Sequence, residues 1–168
     1  MQTNVDWNFL LDEHGPLVAR ISWRLLGNAA DVEDNVQETF LQAFQLAQRQ
    51  HVSHWRGLLR RVATCTALAR LRRRRADMPL GAAAVACRQP APDDEAAERE
   101  LGQRLRREVA RLPEREAVVF SLRYFEDLSL AEIAATLGIG YAAAGTALSR
   151  ARSKLERKFC PGLEESSR

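Results

Sequence analysis

Residues 128–155 read LSLAEIAATLGIGYAAAGTALSRARSKL, and this stretch has the most informative local pattern in the chain. Ser129 stands at an N-cap position, apolar residues follow at helical spacing, and Gly138 suits the left-handed conformation that ends a helix. A second helix is predicted to begin near Gly140, with one apolar side and one polar, basic side. Two short helices joined by a glycine turn, the second of them basic, favour a helix-turn-helix that binds DNA over an ordinary helical hairpin with a solvated charged face. The predicted apolar stripe of the second helix is Tyr141, Ala144, Leu148, Ala151 and Leu155.

The whole chain has the size and composition of a helical protein without membrane spans. Its 168 residues suffice for one medium domain or two small ones. No run of about eighteen apolar residues is present, and the N-terminal MQTNVDW lacks a signal-peptide pattern, so we expect a cytoplasmic protein that does not insert into membranes. Cys65, Cys87 and Cys160 are far apart and odd in number, which predicts reduced cysteines.

Charge is distributed unevenly, although the formal net charge is only +3 and the pI is about 9.0. Eight arginines and no acid lie between Arg56 and Arg75, whereas acids gather at 31–38 and 93–100. A basic block of this density predicts a polyanionic partner, with nucleic acid favoured, because the arginines would otherwise repel one another. Binding there should weaken steeply with salt, since each neutralised phosphate releases a counterion.

The remaining periodicity predicts further helices and no strand. We expect helices at about 5–26, 30–49, 53–75, 93–112 and 114–124. Gly15 and Pro16 predict a break or bend in the first of these. Residues 76–92 have no amphipathic period and contain three prolines, so they are predicted to be a flexible linker between two domains. Residues predicted to be buried include Trp7, Leu10, Leu11, Leu101, Leu105, Val109 and Leu112.

The second helix is strongly two-sided. Its predicted apolar side is Val32, Val36, Phe40, Ala43, Phe44 and Ala47. Its predicted outer face is Asp31, Glu33, Asp34, Asn35, Gln37, Glu38 and Gln42. Acids in a first turn favour the helix dipole, which accounts for the early ones. The helix dipole accounts less well for Glu38, which lies further along the helix, so a protein partner that binds this face is left open.

Four segments, taken in chain order, carry a family resemblance. They are residues 17–44 (LVARISWRLLGNAADVEDNVQETFLQAF), 55–63 (WRGLLRRVA) with 70–75 (RLRRRR), 111–139 (RLPEREAVVFSLRYFEDLSLAEIAATLGI) and 147–155 (ALSRARSKL). Together they resemble the bacterial RNA polymerase sigma factors of the extracytoplasmic-function (ECF) group. The first two resemble sigma domain 2, including the family's acidic DxEDxxQETF helix, and the last two resemble sigma domain 4.

This resemblance implies an all-α fold of two small helical domains joined by a flexible linker. Residues 1–75 would form sigma domain 2, residues 76–92 the linker, residues 93–160 sigma domain 4 with its helix-turn-helix, and residues 161–168 a tail. The implied function is that of a sigma factor, which is not an enzyme but binds core RNA polymerase and directs promoter recognition and transcription initiation. The implied partners are the polymerase clamp and flap and promoter DNA, with an anti-sigma factor left open. No cofactor or metal is expected.

The resemblance also assigns residues to three surfaces. Core-polymerase binding would involve Asp31, Asp34, Asn35, Gln37 and Glu38. Binding of the promoter −10 region would involve Trp55, Arg56, Arg60, Arg61, Arg70, Arg72 and Arg73. Reading of the −35 element would involve Tyr141, Thr146, Ser149, Arg150, Arg152 and Lys154. For Trp55, base stacking and burial are both left open.

Two stretches depart from the family pattern on surfaces that read DNA. Family members often have lysine and arginine in the middle of the last helix, where this chain has Gly145, Thr146 and Ala147. Many have an Arg-Asn pair and a later Asp in the basic helix, where this chain has Thr64, Cys65 and Ala69. The promoter sequence therefore does not follow from the resemblance, nor do the regulon and the inducing signal.

Three alternatives compete with this interpretation. A stand-alone helix-turn-helix regulator explains the C-terminal half but gives no use for the acidic helix. A metal-dependent or thiol enzyme would use His51, His54 and Cys65, yet no carboxylate or second cysteine lies at ligand spacing. A protein-binding adaptor is the third, and salt-dependent retention on DNA distinguishes it from the others.

Overall fold

The computed structural model describes residues 5–76 and 94–160, and this part of the chain contains helices and no strand. The helices are α1 (Trp7–Leu26), α2 (Ala29–Arg49), α3 (Trp55–Ala76), α4 (Asp94–Arg111), α5 (Glu114–Tyr124), α6 (Leu130–Leu137) and α7 (Tyr141–Phe159). The all-α prediction is confirmed, and the predicted bounds agree with these to within a few residues. The predicted linker and tail lie outside the described residues, except for Ala76 at the end of α3.

Local capping explains where the first two helices begin and end. The Asp6 side chain accepts a hydrogen bond from the Phe9 N–H at 3.1 Å and caps α1. Gly27, at φ 70°, ends α1 in the left-handed region, and the Asn28 side chain then accepts from the Asp31 N–H to start α2. One helix therefore ends and the next begins within two residues, Gly27 and Asn28.

The break or bend allowed at Gly15 and Pro16 does not interrupt the helix. α1 is one continuous helix with Pro16 in its interior. Proline lacks the N–H that would bond to the carbonyl of Asp12, and both residues are exposed. Water can therefore solvate the freed carbonyl, and the packed side of the helix is unaffected.

The helices α1, α2 and α3 pack against one another around a buried cluster. As predicted, α1 buries Leu10, Val18 and Ile21, but Leu11 is 43% exposed and is not a core residue. A buried hydrogen-bonded polar contact, which was not predicted, also lies between these helices. Asn35 is fully buried on α2, where its Nδ2 donates to the Ser22 hydroxyl at 2.8 Å and to the Ala63 carbonyl at 3.2 Å.

The C-terminal helices α4 to α7 form a second group. The helix-turn-helix is confirmed: Ser129 and Glu132 form a reciprocal capping box on α6, and Gly138 ends α6 at φ 64°. Core residues of this group are Val109, Val119, Leu122, Ile133, Ala144, Ala151 and Leu155. Two residues predicted to be buried are not, since Leu101 is 57% and Tyr141 62% exposed.

α3 packs against both groups. It contacts α1 and α2 on one side and α4, α5 and α6 on the other. The buried apolar residues of both halves consequently form one continuous cluster. The two halves are therefore in direct contact in this structure.

Two glycines of the helix-turn-helix region, one inside α7 and one in the turn, lead to a stability prediction. Gly145 lies inside α7, and a Cβ added there would meet no atom within 4 Å. Gly145→Ala should raise the free energy of unfolding by about 1 kcal/mol because alanine loses less entropy in a helix. Gly138→Ala should lower it by about 1 kcal/mol, because φ is positive there.

Urea unfolding followed by circular dichroism measures both changes. A destabilising effect of Gly145→Ala would mean that this position is not an ordinary helix interior.

Candidate nucleic-acid and protein interfaces

The second helix of the helix-turn-helix presents a polar face to solvent. α6 and α7 lie at 109° to each other across the glycine turn. α7 packs against the other helices through small buried residues, Ala144, Ala147 and Ala151. The exposed positions on the opposite side include Tyr141, Thr146, Ser149, Arg150 and Arg152. The Thr146 hydroxyl donates to the Ala142 carbonyl at 2.9 Å, and Arg152 pairs with Glu156 at 3.7 Å, both on α7 itself. An exposed helix face of this kind fits the edges of bases in a major groove.

Lys154 differs from the other residues predicted for this face. Its Nζ donates to both carboxylate oxygens of Glu116 on α5, at 2.9 and 2.7 Å. The Glu116 side chain is only 10% exposed. Lys154 therefore neutralises a buried carboxylate and joins α7 to α5, a structural role that was not predicted; its role in reading DNA stays a prediction. Sequence periodicity could not reveal this, because Glu116 is 38 residues away.

The arginines of α3 are not uncompensated, contrary to the prediction from their density. Arg70 pairs with Asp34 at 3.1 Å and Arg74 with Asp31 at 2.5 Å, both on α2. Arg72 donates from Nε to the Ala110 carbonyl at 2.9 Å and from Nη2 to the Leu112 carbonyl at 3.2 Å. Folding thus places acceptors beside arginines that have no acid near them in sequence.

The other predicted arginines of α3 differ in their accessibility. Arg56, Arg61 and Arg73 are exposed. Arg60 is half-buried and its Nε has no hydrogen-bond partner among the described residues. Burial lowers the pKa of Arg60, the neighbouring Arg56 lowers it further, and Glu126 acts in the opposite direction. Arg74, which pairs with Asp31, is exposed as well. We call Arg56, Arg61, Arg73 and Arg74, the α3 arginines described as exposed, the basic surface of α3.

Trp55 belongs to a cluster of aromatic rings at the start of α3. Its ring meets Trp7 edge-on at 5.4 Å, and Trp7 also contacts Phe44 at 5.2 Å. Trp55 is half-buried, so one part of the ring packs and another part faces solvent. The structure shows the packing role of Trp55, and base stacking by the exposed part of the ring stays a prediction.

The outer face of α2 differs from its predicted composition. Asp31 is 8% exposed and Asn35 is fully buried, so the expectation that they lie on the outer face is wrong. The reason is hydrogen bonding: Asn35 bridges α1 and α3, and Asp31 pairs with Arg74. Buried side chains cannot touch a partner in this conformation. Of the residues predicted for polymerase binding, Asp34 and Gln37 are exposed and Glu38 is half-buried.

Two apolar residues complete that face. Leu41 is 53% and Phe44 41% exposed, and they follow Asp34 and Gln37 at helical spacing. Phe44 was predicted to be buried, and Leu41 was assigned to neither side. The signal that sequence reasoning missed is this spacing, which places residues 34, 37, 41 and 44 on one side of the helix. We call this set, with Glu38, the α2 surface.

The residues proposed for an enzyme do not assemble into a site. His51 and His54 are exposed, while Cys65 is half-buried. Burial raises the pKa of the Cys65 thiol, and Glu114 raises it further, so a reactive thiolate is disfavoured. Within residues 5–76 and 94–160, no three His, Cys, Asp or Glu side chains come together as a metal site requires.

No single helix of the described residues is long and apolar enough to cross a membrane. The sharply bent α6–α7 pair meets the length and composition test only when the two helices are taken together.

Comparison with known families identifies both halves of the chain. Residues 10–76 match the family described as Sigma-70 region 2, and residues 102–155 match Sigma-70, region 4. Together the two matches cover more than two thirds of the chain.

Individual relatives agree with these matches. The ECF RNA polymerase sigma factor SigE of Mycolicibacterium smegmatis is 31% identical over 153 residues, which is 89% of this chain and 60% of that protein. SigW of Bacillus subtilis, also an ECF RNA polymerase sigma factor, is 26% identical over 165 residues, covering 89% of this chain and 87% of the relative.

The solved structure of CnrH in complex with the cytosolic domain of CnrY has a similar fold. Its TM-score is 0.54 at 23% identity, covering 90% of this chain and 85% of that one. At this identity the likeness concerns the fold alone.

The ion pair between α5 and α7 yields a prediction that separates structural from DNA-reading residues. Lys154→Ala should lower the free energy of unfolding by about 2 kcal/mol, because the buried Glu116 carboxylate loses its cation. Arg150→Ala, on the exposed face, should change it by less than about 0.5 kcal/mol and should weaken retention on duplex DNA.

Chemical denaturation and DNA binding in parallel measure the two effects. Equal stability of the two variants would contradict the role given to Lys154.

Proposed function

The chain belongs to the sigma-70 family of bacterial RNA polymerase sigma factors, in the ECF group, and we propose that it binds core RNA polymerase and directs it to promoters for transcription initiation. The observation that carries the proposal is the presence of both regions, in family order, in one chain. A stand-alone regulator needs only the helix-turn-helix. Residues 1–75 are proposed as sigma domain 2, 76–92 as the linker, 93–160 as sigma domain 4 and 161–168 as a tail.

The proposed polymerase contact is the α2 surface. Asp34 and Gln37 supply exposed polar groups, and Leu41 and Phe44 supply exposed apolar area on the same side of one helix. Large apolar side chains next to charges are typical of protein interfaces, because their burial stabilises the complex and the charges give it orientation. The polymerase clamp is the proposed partner of this surface, and the flap that of domain 4.

The proposed promoter contacts lie on two separate helices. The exposed arginines of α3 supply phosphate contacts near the −10 element, with Trp55 close to the start of the same helix. The exposed face of α7 would read the −35 element in the major groove. The absence of lysine or arginine at positions 145–147 leaves fewer direct contacts in the middle of α7, so its specificity rests on Tyr141, Ser149, Arg150 and Arg152.

The remaining parts of the proposal concern partners, catalysis and location. Sigma factors in general are not enzymes, and we propose no catalytic activity for this chain. We propose a cytoplasmic location, which a role with RNA polymerase supports. The complex of CnrH with the cytosolic domain of CnrY supports adding a protein partner, an anti-sigma factor, to the proposed partners.

The α2 surface can be tested by reversing its charge. Asp34→Lys/Glu38→Lys should weaken binding to core polymerase at least tenfold and abolish promoter-dependent transcription, because two carboxylates are replaced by cations on the contact face. The matched control is Asp12→Lys/Glu13→Lys, which makes the same charge change at exposed positions of α1.

Binding to labelled core polymerase and circular dichroism are the measurements. If the α2 variant binds core as well as the control does, the polymerase does not contact this face.

The basic surface of α3 can be tested through salt dependence. Arg73→Ala should weaken the complex of holoenzyme with an active promoter fragment and reduce the slope of log K against log salt by about 1, since one phosphate contact is lost. Arg49→Ala removes an exposed arginine from the end of α2 and should leave the slope unchanged. An unchanged slope for Arg73→Ala would mean that this arginine does not touch phosphate.

A further inference from the structure

A cavity of about 560 Å³ lies where the end of α4, the start of α5 and the last turns of α7 meet. That volume is within the range of small-molecule sites, about 300–1,000 Å³. Neither the α2 surface nor the basic surface of α3 contributes a residue to it. The residues that line the cavity are Glu108, Arg111, Leu112, Pro113, Lys154, Leu155, Arg157 and Lys158.

The lining of this cavity carries an excess of positive charge. Four of the eight lining residues are cations, and only one is an acid. That acid, Glu108, pairs with Arg111, and Lys154 is neutralised by the buried carboxylate of α5 described above. Arg157 and Lys158 have no carboxylate partner within residues 5–76 and 94–160. Two neighbouring cations without a counter-ion favour an anion at the cavity.

The start of α5 adds backbone donors beside these cations. Pro113, which lines the cavity, is the N-cap residue of α5 and makes no side-chain cap hydrogen bond. The Ala117 N–H bonds to the Pro113 carbonyl at 2.9 Å, so the N–H groups of Glu114, Arg115 and Glu116 have no acceptor in their own helix. Unpaired N–H groups at a helix start, with cations nearby, are typical surroundings of a bound phosphate.

The two acids in the first turn of α5 do not cancel this positive charge. Glu114 lies close enough to Cys65 of α3 to raise the pKa of that thiol, after burial as the larger cause. Glu116 accepts both of its short hydrogen bonds from Lys154. Neither carboxylate lines the cavity.

The floor of the cavity is apolar. Leu112 is 7% and Leu155 6% exposed, and the Pro113 ring lies beside them along the lining. A concave site that combines apolar lining with a few charged groups suits a ligand that has both an apolar body and an anionic group. An inorganic phosphate would use the cations and leave the apolar floor uncovered.

Reading of bases does not account for this cavity. A recognition helix contacts base edges with its N-terminal residues, and Tyr141 begins α7. Lys158 lies near the other end of the same helix, about 25 Å away at 1.5 Å per residue. The basic residues of the cavity are therefore remote from the end of α7 that enters a major groove.

We propose that this cavity binds a nucleotide that carries several phosphates. Arg157, Lys158 and the free N–H groups of α5 contact the phosphates, while Leu112, Pro113 and Leu155 cover one face of the base. All of these residues belong to the second group of helices. The inference goes beyond the proposed function and does not depend on polymerase binding.

Isothermal titration calorimetry of the full chain with ATP tests the site. Arg157→Ala/Lys158→Ala should weaken ATP binding at least tenfold, because both lost cations contact phosphate. The matched control is Arg49→Ala/Arg107→Ala, which removes two exposed arginines that do not line the cavity. Arg107 donates to the carbonyl four residues earlier, as Arg157 does, so both variants lose the same kind of local contact.

Circular dichroism checks that both variants keep their helices, which the exposure of all four residues predicts. Equal ATP affinity of the two variants overturns the assignment of the phosphates to this cavity.

Three further ligands test the chemical class. ATP should bind at least threefold more tightly than tripolyphosphate and than adenosine, because ATP alone offers both phosphates and a base. Tripolyphosphate or adenosine that binds as tightly as ATP overturns the nucleotide assignment. A glutamate-rich peptide that binds where ATP does not identifies an acidic protein segment as the ligand and overturns it as well. The absence of measurable ATP binding overturns the proposal outright.

Amide chemical shifts of the labelled chain locate the ligand. ATP should shift the N–H signals of Glu114 and Arg115, which stand at the free start of α5, and that of Arg157 on α7. Shifts confined to the neighbourhood of Arg56 and Arg61 would assign ATP to the basic surface of α3 and overturn the proposal.

Discussion

The packing of α3 against both halves of the chain is the constraint on which the rest of the structure depends. Leu59, Ala63, Ala67 and Leu68 are all at most 1% exposed. Burying a leucine contributes about 1.5–3 kcal/mol, and the two alanines allow neighbouring helices to approach closely. The other side of the same helix carries the arginines. The helix proposed to bind the promoter is therefore also the one that organises the core, and it cannot move without disturbing both.

The polar contacts around α3 follow from this double role. A dense row of guanidinium groups is tolerable in the free chain because Asp31, Asp34 and the carbonyls at the end of α4 accept hydrogen bonds from it. Exposed pairs such as Arg70 with Asp34 contribute only about 0–1 kcal/mol and exchange readily for other partners. The buried Glu126 is different, because a carboxylate removed from water depends strongly on the cations that neutralise it. The weak ion pairs of the α3 arginines are suited to a surface that binds DNA. The buried contact of Glu126 with Arg20 and Arg24 holds the two halves together in this structure.

α2 shows how tertiary contacts reorganise an amphipathic helix. Asn35 and Thr39 are buried, where they bond to Ser22, Ala63 and backbone carbonyls, while Leu41 and Phe44 face solvent. The buried Asn35 Nδ2 bridges three helices and fixes their register, since leaving this donor unsatisfied would cost about 1–3 kcal/mol. The Oδ1 of the same amide has no hydrogen-bond partner among the described residues. Phe44 packs edge-on against Trp7 at 5.2 Å, yet both outward apolar residues keep more than a third of their surface exposed. Their exposure is consistent with a surface kept for a partner, as proposed for the polymerase.

The sequence by itself determined the features that depend on neighbours a few residues apart. The capping box of Ser129 and Glu132, the left-handed Gly138, the helix stop at Gly27 and the apolar periodicity all act within one or two turns, so the helices and the helix-turn-helix could be predicted. Most exposed residues of the candidate DNA surfaces followed from the same periodicity. Tertiary structure alone decided that Asn35 lies inside, that Lys154 neutralises Glu116, and that Glu126 meets Arg20 across 106 positions of sequence. The physical reason is that the apolar periodicity of a sequence indicates only which side of a helix faces the core. The hydrogen-bond partner of a buried polar group depends instead on which distant residue the packed helices bring next to it.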